Sequence, residues 1–283
     1  MLIPPASAYA TTLQVMAVPI AAWCGLSSLQ LIMSRHAFMP GRALGPDLAA
    51  LSRGRVIPAI LSSPLCAPPA LLIVPMVRLG VGIALPFVAG SGVGMVAGPT
   101  TIILLVVIAA CTALLSVATG GSDGADKIAL VACVAALLIA LGIETGDRWL
   151  CLAGVAWGVG QVTIAYATAG TAKLARPFWR DGTALVATMT SYTSGHAVAA
   201  AIVRHRHAAI ALTWMVMLVE TLFPLALLAP PAACLAALAA LATFHAATAI
   251  LMGLNTYPWA FVATYPCVVM ANGIIIGAPS IAG

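Results

Sequence analysis

From Thr100 to Thr119 the chain reads TTIILLVVIAACTALLSVAT, twenty residues without a single charge. A helix of about that length crosses a hydrocarbon core ~30 Å thick. The stretch is apolar on every side, so it offers no face to water. The rest of the 283-residue chain follows the same pattern. It is 63% hydrophobic and only 7% charged, with a mean hydropathy of +1.11. Soluble domains are roughly 45–50% apolar. The fold class is therefore all-α: a polytopic helical membrane protein in which residues 1–283 form a single integral-membrane domain.

Outward from that span, further apolar runs cover 11–33, 56–77, 128–143, 150–174, 208–229, 232–254 and 258–278. The first lacks the basic flank of a signal peptide and reads as a retained span. The second carries Pro58, Pro64, Pro68, Pro69 and Pro75. Proline removes a backbone donor, so an irregular path there is expected. Two segments are ambiguous: 79–98 is glycine-rich, a short span or a re-entrant piece, and 183–203 is interrupted by Thr, Ser and Gly. The expectation is eight or nine transmembrane helices, with re-entrant segments as the alternative for these two. Asp123 or Asp126 is placed to cap the helix that follows GGSDGADK. Gly90, Gly94 and Gly98 are spaced four apart, as are Gly154 and Gly158, a spacing that lets helices approach closely.

The net charge of +5 comes from loops and suits anionic lipid head groups. No basic stripe with interleaved aromatics points to nucleic acid. If 79–98 and 183–203 do not cross, nine of the twelve Lys and Arg residues share one side of the membrane. Those nine are Arg35, Arg42, Arg53, Arg55, Lys127, Arg176, Arg180, Arg204 and Arg206, and that side would be cytoplasmic. The expected location is the bacterial cytoplasmic membrane. All seven cysteines lie in apolar runs, with no C-x-x-C pair and no metal-ligand spacing. They read as small hydrophobes, and no metal site is expected.

Charge concentrates in AGTAKLARPFWRDGTAL, from Ala169 to Leu185. Lys173 ends an apolar run, and a lysine there either snorkels to the head groups or serves chemistry. Tyr166, Gly170 and Lys173 share a helix face by their spacing, and a close helix contact at Gly170 would turn Lys173 inward. A desolvated amine spends part of its time neutral and can act as a base. Glu220 lies near the middle of its run, where an ionised carboxylate costs at least ~2.5 kcal/mol unless paired, hydrated or protonated. His245 lies in the next run. Counting from Pro230-Pro231, Glu220 is about 15 Å and His245 about 21 Å along antiparallel helices. A Glu220–His245 pair is therefore expected, bridged directly or by one water. Asp181 sits beside Arg180 and reads as a surface ion cluster or a second acid. Tyr166, Trp179, Asn255, Tyr257, Arg204 and Arg206 are the candidate substrate-binding residues. The plain alternative for Asn255 and Tyr257 is interface anchoring. For Arg204 and Arg206 it is a basic turn at the lipid surface, and the functional reading is a contact to the phosphates of a prenyl diphosphate.

Four of these stretches together resemble a known family. YATAGTAKL from Tyr166, WRDG from Trp179, VETLFP from Val219 and FHAATAILMGLNTYPW from Phe244 are similar to motifs of the HTTM family. That is the membrane domain of vitamin K-dependent γ-carboxylase and its bacterial relatives. The likeness covers about residues 150–270. It implies that Lys173 is the base that deprotonates a reduced quinone, after which oxygen turns the quinol into a strong base. The substrate class it implies is lipid-soluble.

Three functions remain open from the sequence. The first is an integral-membrane enzyme acting on a quinol or another isoprenoid lipid, with Lys173 as base and Glu220 and His245 passing protons. The second is a membrane terpene cyclase in which a buried protonated acid, Glu220 or Asp181, starts a carbocation cascade along aromatic walls. The third is a non-catalytic membrane module for peptide export or immunity.

Overall fold

A computed structural model describes residues 4–38, 68–90, 98–118, 123–191 and 197–277. Among these residues there is no strand. Eight helices are long and apolar enough to cross a membrane, which makes the chain an integral membrane protein.

The first four are α1 (Ala6–Met33), α2 (Pro68–Gly90), α3 (Pro99–Ala118) and α4 (Gly124–Thr145). Next come α5 (Arg148–Leu174) and three short helices, α6 (Pro177–Arg180), α7 (Thr183–Met189) and α8 (Ala197–Val203). Helix α9 (Arg206–Leu222) runs on into a 3-10 segment, Phe223–Leu228. Helix α10 spans Pro231–Met252. The last crossing is built from α11 (Tyr257–Val262) and α12 (Tyr265–Ile276).

Two boundaries differ from the sequence expectation. The apolar runs 56–77 and 79–98 do not form separate units. One helix, α2, takes the end of the first and most of the second, and it stays helical through Pro75 and Pro86. Packing against α1 and α3 supports the backbone that these prolines interrupt. The proline-rich residues 56–67 lie outside the described residues. The segment 183–203 makes no crossing: α7 and α8 are seven residues each, too short to span. Their small apolar cluster, with Leu185, Met189, Ala199 and Val203, packs onto Ala209 of α9.

The core lies between α1, α4, α5 and α12. Tyr9 and Trp23 of α1 are wholly enclosed, as are Ile139 of α4 and Val162 of α5. Small residues let these helices meet. A methyl on Gly154 would stand 2.7 Å from the Ala135 carbonyl oxygen, and one on Gly158 would stand 2.9 Å from Cys267 Sγ. Gly90 and Gly98 have open space instead, so their spacing marks no helix contact, and Gly94 lies outside the described residues. The turn from α4 to α5 is short. Gly146 takes the left-handed conformation with φ 70°, and Asp147 accepts hydrogen bonds from the Trp149 and Leu150 amides at 2.9 and 3.3 Å. Asp123 caps α4 through the Asp126 amide, at 2.8 Å. The six described cysteines are unpaired, and all except the half-buried Cys111 are buried.

The end of the fold nearest Lys173 is layered. Glu220 lies fourteen residues into α9, ~21 Å along the axis, yet it meets Lys173 at the last turn of α5. Helix α9 therefore projects well past the end of α5. The short helices α6–α8 fill that space. Trp214 Nε1 of α9 donates to the Arg180 carbonyl at 3.2 Å, and Gly182 packs against the Ile210 backbone.

Candidate functional site

Helix α5 carries the site. Tyr166 and Lys173 are seven residues apart, two turns on one face. Gly170 lies between them, and its missing side chain decides the packing. A methyl there would stand 2.6 Å from the Thr221 amide nitrogen and 3.0 Å from Glu220 Cβ. Only glycine lets α9 come this close, and the approach delivers the Glu220 carboxylate to Lys173.

Lys173 Nζ donates to Glu220 Oε2 in a charge-assisted hydrogen bond. The Glu220 side chain is 7% exposed and that of Lys173 is 20% exposed. The Lys173 ammonium also sits over the Trp179 ring, 5.6 Å from its centroid, which places α6 as a partial roof. Among the described residues this is the single ion pair.

Two turns back along α5, Tyr166 OH lies 2.7 Å from His245 Nε2 and 3.2 Å from Tyr265 OH. His245 is buried, and aromatic rings fix its orientation. Phe261 stacks on it at 4.1 Å between centroids, with Phe244 at 5.0 Å and Tyr257 at 6.4 Å. Phe223 closes on the Tyr166 ring at 4.7 Å. The other imidazole nitrogen, Nδ1, is buried with no hydrogen-bond partner among the described residues, and so is Thr221 Oγ1 beside the ion pair. An unpartnered buried polar atom is costly. Two of them near one helix face are atoms available to a ligand or a proton.

Glu220 and His245 thus do not join directly. Each is met from α5 instead, by Lys173 and by Tyr166, ~10 Å apart along that helix. Counting residues from Pro230-Pro231 put the two about 6 Å apart in depth on the assumption of two regular helices. The 3-10 segment Phe223–Leu228 breaks that assumption. Its freed carbonyls are taken by Asn272, whose amide nitrogen donates to Leu227 at 2.9 Å and Ala229 at 2.8 Å.

Asp181 is exposed and is not a buried acid. Hydrogen bonds from Thr183, side chain and backbone, hold its carboxyl below the ordinary value, with a smaller pull from Arg206. Its Oδ1 accepts from the Thr183 amide at 2.9 Å, so its work is to start α7. Arg204 and Arg206 are exposed at the α8–α9 turn, away from the Lys173 pair in sequence and with no hydrogen-bonded side-chain partner among the described residues. Asn255 is exposed in the turn after α10. Tyr257 has two roles: its ring flanks His245, and its hydroxyl accepts from the Gly124 amide at 3.2 Å.

Sequence reading missed Tyr265, although a signal existed. Thr-Tyr-Pro occurs twice, at Thr256-Tyr257-Pro258 and Thr264-Tyr265-Pro266, and each copy opens a helix. It also missed Arg78, which is buried in α2.

Searches of family models, curated proteins and solved structures found nothing that matches this chain.

Proposed function

We propose that the chain is an integral-membrane enzyme that moves a proton at a lipid-soluble quinol or isoprenoid substrate, in the manner its resemblance to the γ-carboxylase-like family implies. One observation carries this reading. The separate stretches YATAGTAKL, VETLFP and FHAATAILMGLNTYPW converge in space, through Lys173–Glu220, Tyr166–His245 and the rings of Tyr257 and Phe261.

The chemistry follows from the pair. An isolated ammonium in an apolar bundle cannot easily release its proton to water. Beside Glu220 the proton passes from Nζ to Oε2, leaving a neutral amine and a neutral acid with no change in total charge. The amine then accepts a hydroxyl proton from a substrate seated against Trp179. His245 Nδ1, with Tyr166 on the other ring nitrogen, is the second group that can hold a proton. A reduced quinone would supply the acidic hydroxyl, and the aromatic walls suit a flat ring or a prenyl chain. Location in a bacterial cytoplasmic membrane is part of the proposal. Among the described residues Arg35, Lys127, Arg176, Arg180, Arg204 and Arg206 lie at the same ends of the spans, a side the positive-inside rule would make cytoplasmic.

The terpene-cyclase alternative draws on the aromatic box around His245, which could stabilise a carbocation. It has less to start the cascade: a proton on Glu220 has the Lys173 amine beside it, a far stronger base than an alkene, and Asp181 is exposed.

The test uses the full chain in nanodiscs with a reduced prenyl naphthoquinone and oxygen, following the quinone product by chromatography. Turnover is expected from the wild type and none from Lys173→Arg, since arginine keeps the charge but cannot act as a base. Near-normal turnover in Lys173→Arg sinks the base mechanism. A prenyl diphosphate consumed by wild type and Lys173→Arg but not by Glu220→Gln would instead select the cyclase. Binding or turnover of neither lipid would leave the non-catalytic membrane module.

A further inference from the structure

We propose that a second site, around Arg78, binds a small zwitterion carrying an oxyanion and a primary ammonium, the chemistry of a phosphoethanolamine head group. It stands apart from the Lys173 pair and does not depend on the reading given to that pair.

Arg78 is 1% exposed, in the middle of α2. Its Nε donates to Ser28 Oγ at 3.0 Å and its Nη2 to Ser27 Oγ at 2.8 Å. Its guanidinium lies over the Trp23 ring at 4.9 Å. All three partners are neutral. A guanidinium has five N–H donors, and the remaining ones have no partner among the described residues. No described carboxylate lies within ion-pair distance of it. A buried charge without a contacting counter-charge is unfavourable, and the carboxylates that line the same cavity, Asp123 and Asp126, make no ion pair with it.

Arg78 lines a cavity of about 220 Å³ together with Ser27, Thr112, Asp123, Asp126 and Thr256. At ~30 Å³ per water that is room for roughly seven waters, more than one inorganic ion fills. The rest of the lining sets the ligand's charge. Asp123 and Asp126 add two carboxylates to one guanidinium, so a multiply charged anion would be repelled. One Asp123 oxygen is used on the Asp126 amide, and the Asp126 carboxylate accepts from the Asp123 backbone amide, which leaves its remaining lone pairs open to a ligand. A ligand with its oxyanion on Arg78 and its ammonium at Asp126 satisfies both ends at net charge zero.

The level of the cavity supports a head group. Gln30 is three residues from the end of α1, Ser116 two from the end of α3, and Asp123 is the cap of α4. These are the ends of spans, near the head-group level, and Arg78 reaches the same cavity from the middle of α2. The same zwitterion also exists as a free metabolite, and the test separates the two sources.

The full chain is reconstituted in nanodiscs of phosphatidylethanolamine, of phosphatidylcholine, or of an equal mixture, and lipid retained on the protein is read by native mass spectrometry. In parallel, soluble glycerophosphoethanolamine and glycerophosphocholine, diesters with the head group's single phosphate charge, and inorganic phosphate are titrated against thermal unfolding. The ethanolamine compound is expected to bind at least tenfold more tightly than the choline compound, because a quaternary amine cannot donate to Asp126. Asp126→Asn should abolish that preference, and Arg78→Met should abolish binding. If Arg78→Met does not fold, Asp126→Asn decides. Retained phosphatidylethanolamine assigns the site to lipid, and binding of the soluble compound alone assigns it to a metabolite. Equal binding of ethanolamine and choline forms, equal binding of inorganic phosphate, an unaltered preference in Asp126→Asn, or no binding of any probe each overturns the proposal.

Discussion

Replacing Gly170 by alanine should loosen the protein and the site in one step. The added methyl would stand 2.4 Å from Thr221 Oγ1 and 2.6 Å from the Thr221 amide nitrogen. Ordinary contacts between carbon atoms are ~3.5–4.0 Å, so α9 must retreat by about 1 Å. The hydroxyl can rotate away, but the amide belongs to a helix and cannot. Overpacking of this kind costs about 1–3 kcal/mol. Alanine returns about 0.5–1 kcal/mol through its better helix preference, for a net loss on the order of 1–2 kcal/mol. The same retreat carries Glu220 away from Lys173, because Glu220 Cβ would be only 3.0 Å from the new methyl. Gly160 on the same helix is the control. It has nothing within 4 Å of an added methyl, so Gly160→Ala should gain about 0.5–1 kcal/mol. Reversible unfolding in mixed micelles, followed by circular dichroism, measures both. Equal stability of the two variants would refute the argument that glycine is required for the α5–α9 contact.

Two further perturbations address single interactions. Lys173→Met strands a buried carboxylate and should lower stability by about 3 kcal/mol, the low end for a broken buried pair because part of Lys173 is exposed. Adding Glu220→Met should restore most of the loss, and strictly additive losses in a double-mutant cycle would show that the two side chains do not interact. Asp181 tests the loop electrostatics. Its carboxyl is held below the ordinary 3.8, so its contribution is present above pH 3.8 and is lost as pH falls through the lower folded value. The Thr183 amide resonance should therefore titrate below pH 3.8 and stop titrating in Asp181→Asn. A midpoint at or above 3.8 would contradict the hydrogen bonding described.

The membrane architecture was legible because apolar run length is a one-dimensional property. Seven crossings, α1, α3, α4, α5, α9 with its 3-10 segment, α10, and α11 with α12, follow their apolar runs closely. The misreading of 56–98 came from prolines, which stop an isolated helix but are tolerated where neighbours pack around the chain. Lys173, Glu220, His245 and Tyr166 were recognisable because polar groups in apolar runs are expensive. Their partners were not. Pairing depends on helix rotation and on the 3-10 segment at Phe223–Leu228, and neither is encoded in a residue count. Asp181 looked like a candidate acid from its neighbours in sequence, but the contact that governs it is the local amide of Thr183. Arg78 stands outside the nine basic residues grouped on one side of the membrane and drew no reading of its own, although its burial against Ser27, Ser28 and Trp23 gives it a specific environment.

The ion pair between α5 and α9 also bears on how the chain is made. A segment entering the bilayer from the translocon is sorted by its own apolarity, and a lone carboxylate in it is a penalty. Lys173 precedes Glu220 by 47 residues, so the cation is synthesised first and is already docked at the membrane when the carboxylate emerges. Gly170 is emplaced with it, leaving a groove of the right shape. The acidic segment is therefore expected to integrate as the second half of a charge-neutral helical hairpin, with α6–α8 as the tether that keeps the halves close during synthesis. Deleting α5 would make the emerging Glu220 segment stall or pass through, even though nothing in its own sequence had changed.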